Sequence, residues 1–164
     1  MAKTFNRDGR LGVGGIDQVD TQQAWPLMDD LEFSTSKGGV EAVYLMAGTG
    51  GVVQGYICTM DNGVATPTSP TADAGKPLCV AMTTLAQGEY GWFGVKGTVP
   101  LACTATTTVG GKVYMGGTAG QTTSASTVGK AILNAVFAEA VTITSGYKLA
   151  LATVQHPTEE APNA

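Results

Sequence analysis

The chain has 164 residues, 43% of them hydrophobic and 13% charged, with 23 glycines and a formal net charge of −4. That length suits one domain with a core of its own. The charged fraction is about half the usual value of roughly 25%, and no basic patch is present, so nucleic acid is excluded as an expected partner. Acidity sits at the ends: residues 1–41 carry a net −3, residues 42–156 a net +1 and residues 157–164 a net −2. No run approaches about 18 apolar residues, and Met1-Ala2-Lys3-Thr4-Phe5-Asn6-Arg7 lacks an apolar core. Neither a membrane span nor a signal peptide is expected.

Residues 1–40 read as an extended N-terminal arm. Gly9, Gly12, Gly14 and Gly15 interrupt any early periodicity. Asp17 to Trp25 is predicted as a short helix ended by Pro26, and Ser34 to Gly39 as a linker. Between them, Trp25, Leu27, Leu31 and Phe33 stand among acids. They are anchors that pack either on a neighbouring subunit or back on the chain's own body.

From residue 41 to 156 a β-rich body is predicted. Val40 to Met46 opens it. Val52 to Met60 follows, with Val52, Gln54, Tyr56, Cys58 and Met60 on one face, before an Asn62-Gly63 turn. Leu78 to Thr84 places Leu78, Val80 and Met82 on one side. The strongest strand runs from Glu89 to Leu101. Its alternation puts Phe93, Val95, Val99 and Leu101 on one face and Tyr90, Trp92 and Lys96 on the other. Tyr90 and Trp92 are either buried under a second layer, which the energetics of aromatic burial favour, or exposed contact residues. Pro100 cannot donate a ladder hydrogen bond and implies an edge, bend or bulge. Gly110 to Gly116 and the short return strand Thr118 to Thr123 make a hairpin. Ala131 to Ala138 has helix-friendly composition, but its length after Gly129 favours a strand. Tyr147 to Gln155 alternates Tyr147, Leu149 and Leu151 against Lys148, Ala150 and Ala152. Residues 157–164 are expected to fray. Many short strands with glycine-rich turns imply an all-β fold, a sandwich or small barrel.

Chemistry-bearing residues are few. Cys58, Cys79 and Cys103 are odd in number and lack a CxxC spacing, which argues for buried free thiols over a disulfide framework or zinc site. His156 is the one histidine, beside Pro157 near the expected frayed end. Asp61 and Asp73 occupy turn-like sequence, leaving Glu89 and Glu139 as the other body carboxylates. Gly48-Thr49-Gly50-Gly51-Val52-Val53 and Gly111-Lys112-Val113 both fail the phosphate-loop patterns. No catalytic residue, metal or cofactor is expected.

The order of motifs resembles that of capsid cement (decoration) proteins of tailed bacteriophages. Asp73-Ala74-Gly75-Lys76-Pro77-Leu78-Cys79-Val80-Ala81 is similar to that family's opening pattern. Tyr90-Gly91-Trp92-Phe93-Gly94-Val95-Lys96-Gly97 resembles its aromatic strand, and Val109-Gly110-Gly111-Lys112-Val113-Tyr114 its hairpin. Gly120-Gln121-Thr122 and Gly129-Lys130-Ala131-Ile132-Leu133 complete the order, over roughly residues 52–155. The resemblance implies a small β-barrel or tulip-like domain on the outer surface of the virion, assembled in the bacterial host cytoplasm. It implies a homotrimer that clamps neighbouring major capsid protein subunits. The arm and a Thr/Ala-rich loop around Thr104 to Thr108 depart from that pattern. Trp25, Leu27, Leu31, Phe33, Tyr90 and Trp92 form the candidate interface set. The alternative is a head- or tail-fibre module that binds carbohydrate through Tyr90 and Trp92.

Overall fold

A computed structural model describes residues 3–5, 15–69, 75–126 and 130–160. Residues 1–2 and 6–14 of the predicted arm, Asp73-Ala74 of the opening motif, Gly129 and the last four residues lie outside the described residues. The described chain is all-β. Its strands are β1 (Lys3–Phe5), β2 (Val19–Asp20), β3 (Asp30–Thr35), β4 (Gly38–Ala47), β5 (Ile57–Asp61), β6 (Val64–Pro67), β7 (Leu78–Ala81), β8 (Tyr90–Cys103), β9 (Lys112–Met115), β10 (Thr122–Thr123), β11 (Ala131–Phe137) and β12 (Lys148–Glu159).

All twelve belong to one hydrogen-bonded sheet. The all-β, sandwich-like class is as expected, though the sheet is not one closed barrel. The path of paired strands returns to β8 twice, through β4–β8 and through β8–β12. One circuit runs β4, β6, β5, β7, β8; the other runs β8, β10, β9, β11, β12. β8 serves both because it is 14 residues long, more than twice a typical strand of about 5–6. Residues 90–97 pair with β4 and residues 96–103 with β12.

A bulge lets one strand serve two cores. Opposite Glu41 stands Lys96, but opposite Ala42 stands Gly94, so Val95 is an extra residue on β8. An inserted residue reverses which side chains face which way. Phe93 and Val95 enter the core of Leu45, Val52, Cys58, Cys79 and Leu85. Val99, Leu101 and Cys103 enter a second core with Val113, Met115, Ile132, Phe137 and Val154. A Cβ placed on Gly94 would meet Val99 Cγ1 at 2.7 Å, so Gly94 and Val99 share a side although their numbers differ in parity. The predicted single face of Phe93, Val95, Val99 and Leu101 is therefore divided between the two cores.

Pro100 lies inside β8, opposite Leu151. Two residues on, Ala102 N donates to the Gly55 carbonyl at 2.8 Å. The Pro100 nitrogen has the same parity and points to that side, where β4 has ended at Gly97 and β10 joins only at Cys103. The position is an edge locally, as proline requires.

The remaining strands follow the predicted order with shifted ends. The Asn62-Gly63 turn joins β5 to β6, with both residues at positive φ (46° and 81°). The strand expected from Val52 begins at Ile57, and Val52 makes an isolated bridge to Leu85. Its apolar face is as read: Val52, Tyr56, Cys58 and Met60 all contact one core. Leu78, Val80 and Met82 likewise share the other core. Residues 131–137 are a strand.

Three boundaries change. Asp17 to Trp25 forms turns and the two-residue β2, not a helix, because Val19 and Asp20 pair with Gly91 and Tyr90. An isolated helix that short is marginal in any case. Ser34 to Gly39 is the tip of the β3–β4 hairpin, not a linker. The body also runs past residue 156: β12 continues to Glu159, with Pro157 and Glu159 buried.

Gly97 marks where β4 gives way to β12. Its φ is 108°, and an added Cβ would fall on the Gly39 carbonyl oxygen. Gly97→Ala is expected to cost about 2–5 kcal/mol through strain and forced displacement of β4, measured as a lowered denaturation midpoint in urea.

Candidate interaction surface

The six residues singled out from the sequence gather in one cluster, buried at Leu31 and Trp92 and half-buried at the other four. Trp92 is 0% and Leu31 1% exposed. Trp25, Leu27, Phe33 and Tyr90 pack partly buried against the cluster of Leu31, Ala42, Tyr44 and Trp92. The Trp92 ring meets Phe33 edge-on at 5.1 Å, Tyr44 at 5.1 Å and Trp25 at 6.3 Å between centroids. These are favourable aromatic separations. Tyr90 stacks on Tyr44 at 6.1 Å. Leu27 sits over the β5–β6 turn, where a Cβ on Gly63 would meet it at 2.9 Å.

Backbone bonds hold the segment down. Met28 N donates to the Tyr44 carbonyl and Tyr44 N to the Asp29 carbonyl, both at 2.9 Å. Tyr44 Oη donates to Asp20 Oδ2 at 2.6 Å and accepts from Ala24 N at 3.3 Å. Burial first, then the bond to Asp20, pushes the Tyr44 hydroxyl up to about 12. In the described chain, Trp25, Leu27, Leu31 and Phe33 fold back on their own body. Much of their apolar surface is used in this way, with Leu31 fully buried and Trp25, Leu27 and Phe33 half-buried. Trp92 is likewise enclosed and is not an exposed contact residue.

The carboxylates and the histidine have local structural partners or lie on the surface. Glu89 Oε2 accepts from Ala86 N at 2.7 Å within a turn. Glu139 Oε2 accepts from Leu151 N at 3.2 Å. Asp61 is exposed at the end of β5, beside the Asn62-Gly63 turn, and Asp73 lies outside the described residues. His156 is largely exposed, 3.9 Å from Glu41 Oε1, and the other oxygen, Glu41 Oε2, lies 3.9 Å from Lys96 Nζ. Among the described residues, no three His, Cys, Asp or Glu side chains cluster as metal ligands. No helix there is long and apolar enough to cross a membrane.

Exposed apolar side chains include Val19, Met28 and Val109, which stand apart, and a group on the outer face of β11 and β12. Leu133 is 45% and Val136 43% exposed. Both point outward despite their unequal parity because Asn134, at φ 59°, interrupts the alternation. The register with β12 shifts at the same point. On β12 the inward row is Ala150, Ala152 and Val154, and the outward row carries Leu149, Leu151, Thr153 and Gln155. Small residues face the core here and larger ones face out. Tyr147 and Leu149 are both 41% exposed, with Tyr147 against Tyr56 at 6.4 Å.

Lys112, Tyr114, Leu133, Val136, Thr153 and Gln155 line a shallow groove of about 640 Å³, with Glu160 at its margin. Its lining mixes apolar side chains with Asn134, Thr153 and Gln155 and carries one cation and one anion, a mixture compatible with a protein-contact patch. The sequence carried a signal for it: the Leu149/Ala150, Leu151/Ala152 alternation reads differently once the alanines are assigned to the core.

Comparison with known protein families found no matching family, and comparison with curated proteins found no matching relative.

Tyr44 supplies a pH test of the aromatic cluster. Its folded pKa is raised above the unfolded value of about 10, so its contribution is complete below pH ~10 and is lost as pH rises through about 12. Urea denaturation across that range should show stability falling in the wild type. Tyr44→Phe, which cannot ionise, should be less stable at pH 7 by about 1–2 kcal/mol and should lose less stability above pH ~10.

Proposed function

We propose that this protein is a structural component of a virion: a cement protein that binds the outer surface of a tailed-phage capsid and stabilises contacts between major capsid protein subunits. The observation that carries this reading is the outward apolar face of β9, β11 and β12 on an otherwise weakly charged all-β body. The motif order over residues 52–155 gives the partner its class. A contact of about 800 Å² per partner would use roughly a tenth of the chain's 7983 Å² surface.

The mechanism is additive binding. Each copy buries a modest apolar patch across a seam between capsid subunits. Association of copies into trimers multiplies the holding strength, because engaging one site raises the effective concentration at the next. No bond is made or broken. The low charge of the body helps, since few ionic groups must be desolvated on contact.

The alternative carbohydrate platform needs the faces of Tyr90 and Trp92 open to solvent. Trp92 is 0% exposed, and an enclosed ring cannot stack on a sugar, so no observation favours that reading.

Co-sedimentation with expanded phage heads tests the proposal. Wild-type chain should pellet with the heads. Leu133→Asp/Val136→Asp, whose side chains lie outside both cores, should stay folded and bind at least about tenfold more weakly. Undiminished binding by the double variant would remove this face from the interface, and absence of wild-type binding would sink the cement reading.

A further inference from the structure

We propose that Cys58 and Cys79 are a disulfide site: a cross-strand pair that a low-molecular-weight disulfide oxidises into a covalent tie between β5 and β7. The odd cysteine count argued against a disulfide framework, but the fold resolves three into a pair and one. Cys58 on β5 stands directly opposite Cys79 on β7. Opposed residues in an antiparallel ladder have Cα atoms about 4.5–5.5 Å apart, inside the roughly 4.4–6.8 Å window that disulfides span. Both side chains point into the same core, with Leu45, Val52, Leu85 and Phe93. Cys79 Sγ lies 3.6 Å from the carbonyl oxygen of Cys58 itself. Cys103 belongs to the other core, its thiol directed at the Ala105 carbonyl at 3.2 Å.

All three thiols are free in this structure. Cys58 and Cys79 are fully enclosed, and burial pushes both thiols up, with each sulfur's proximity adding to the effect at Cys79. In the closed fold they are unreactive, since the thiolate is the nucleophile. Reaction therefore belongs to openings of the β5–β7 ladder.

The chemistry balances with oxidised glutathione. The Cys58 thiolate attacks one sulfur of the reagent, forming a mixed disulfide and releasing one glutathione thiolate. The Cys79 thiolate then attacks the Cys58 sulfur, closing the protein disulfide and releasing the second glutathione thiolate. Two protein thiols are oxidised, one glutathione disulfide is reduced and two protons go to solvent. Opposed Cβ atoms are about 4.5–5.5 Å apart, at or beyond the roughly 3.5–4.5 Å of a relaxed bridge. Closure therefore draws β5 toward β7, and the bond formed is readily reduced. It spans residues 58–79, closing covalently the β5, β6, β7 side of the first circuit.

The test uses the full chain. Reduced protein is incubated with oxidised glutathione at a guanidinium concentration just below its unfolding transition and then dialysed. It is unfolded without reductant in N-ethylmaleimide and weighed intact. The expected product is a monomer lacking two hydrogens and carrying one maleimide; Cys103→Ala, treated alike, should carry none. Full maleimide labelling of every cysteine, a bridge that involves Cys103, glutathione adducts that never resolve, or only disulfide-linked dimers would each overturn the proposal.

Discussion

One extra residue in one strand organises the molecule. Val95 has no partner of its own on β4, and its insertion turns β8 over between Phe93 and Val99. Without it, the alternating apolar residues of β8 would all face one core, and the second circuit would lose Val99, Leu101 and Cys103 from its interior. With it, a single strand is the wall between two cores and the shared edge of both circuits. The exchange of partners from β4 to β12 occurs at Lys96 and Gly97, immediately after the bulge. A bend there requires backbone that a side chain would block, and Gly97 supplies it.

A third cluster depends on the same strand. Trp92 lies on the opposite side of β8 from Phe93, and Tyr44 on β4 stands across from it. Together they make the surface on which residues 15–35 settle. Trp25, Leu31 and Phe33 contribute apolar area to that cluster, so these side chains of residues 15–35 serve internal stability. Elsewhere on the surface, β11 and β12 show Leu133, Val136 and Leu149 to solvent, the face proposed above for contact. A rigid sheet face suits a partner that is itself a large, ordered protein surface, because little conformational freedom is lost on contact.

Much of the fold was legible in the sequence, and the misses share a cause. The all-β class, the Asn62-Gly63 hairpin, the cores of β5 and β7 and the strand at residues 131–137 follow from period-two patterning and turn chemistry. Bulges do not announce themselves that way. Val95 and Asn134 each reverse the phase of a strand, and a pattern read in fixed steps of two crosses such a point without registering it. The segment 15–35 was ambiguous for another reason. Trp25, Leu27 and Phe33 have the same composition whether they cover this chain's Trp92 or a neighbour's surface, and only the long-range pairing of β2 and β3 decides. Of the six interface candidates, Trp25, Leu27, Leu31 and Phe33 pack on the chain's own body, one of the two alternatives the sequence left open, and they meet Tyr90 and Trp92 there. The cysteine pair was hidden likewise, since opposition of residues 58 and 79 is a property of register.

Contact through a rigid outer face, with residues 15–40 committed internally, is open to one direct measurement. Hydrogen exchange on the full chain, free and bound to expanded phage heads, resolves both regions at once. Amides of 131–136 and of the outward half of β12 should gain protection on binding, while those of 15–40 stay unchanged. Protection gained over 15–40, with 131–136 exchanging as in the free chain, would contradict it.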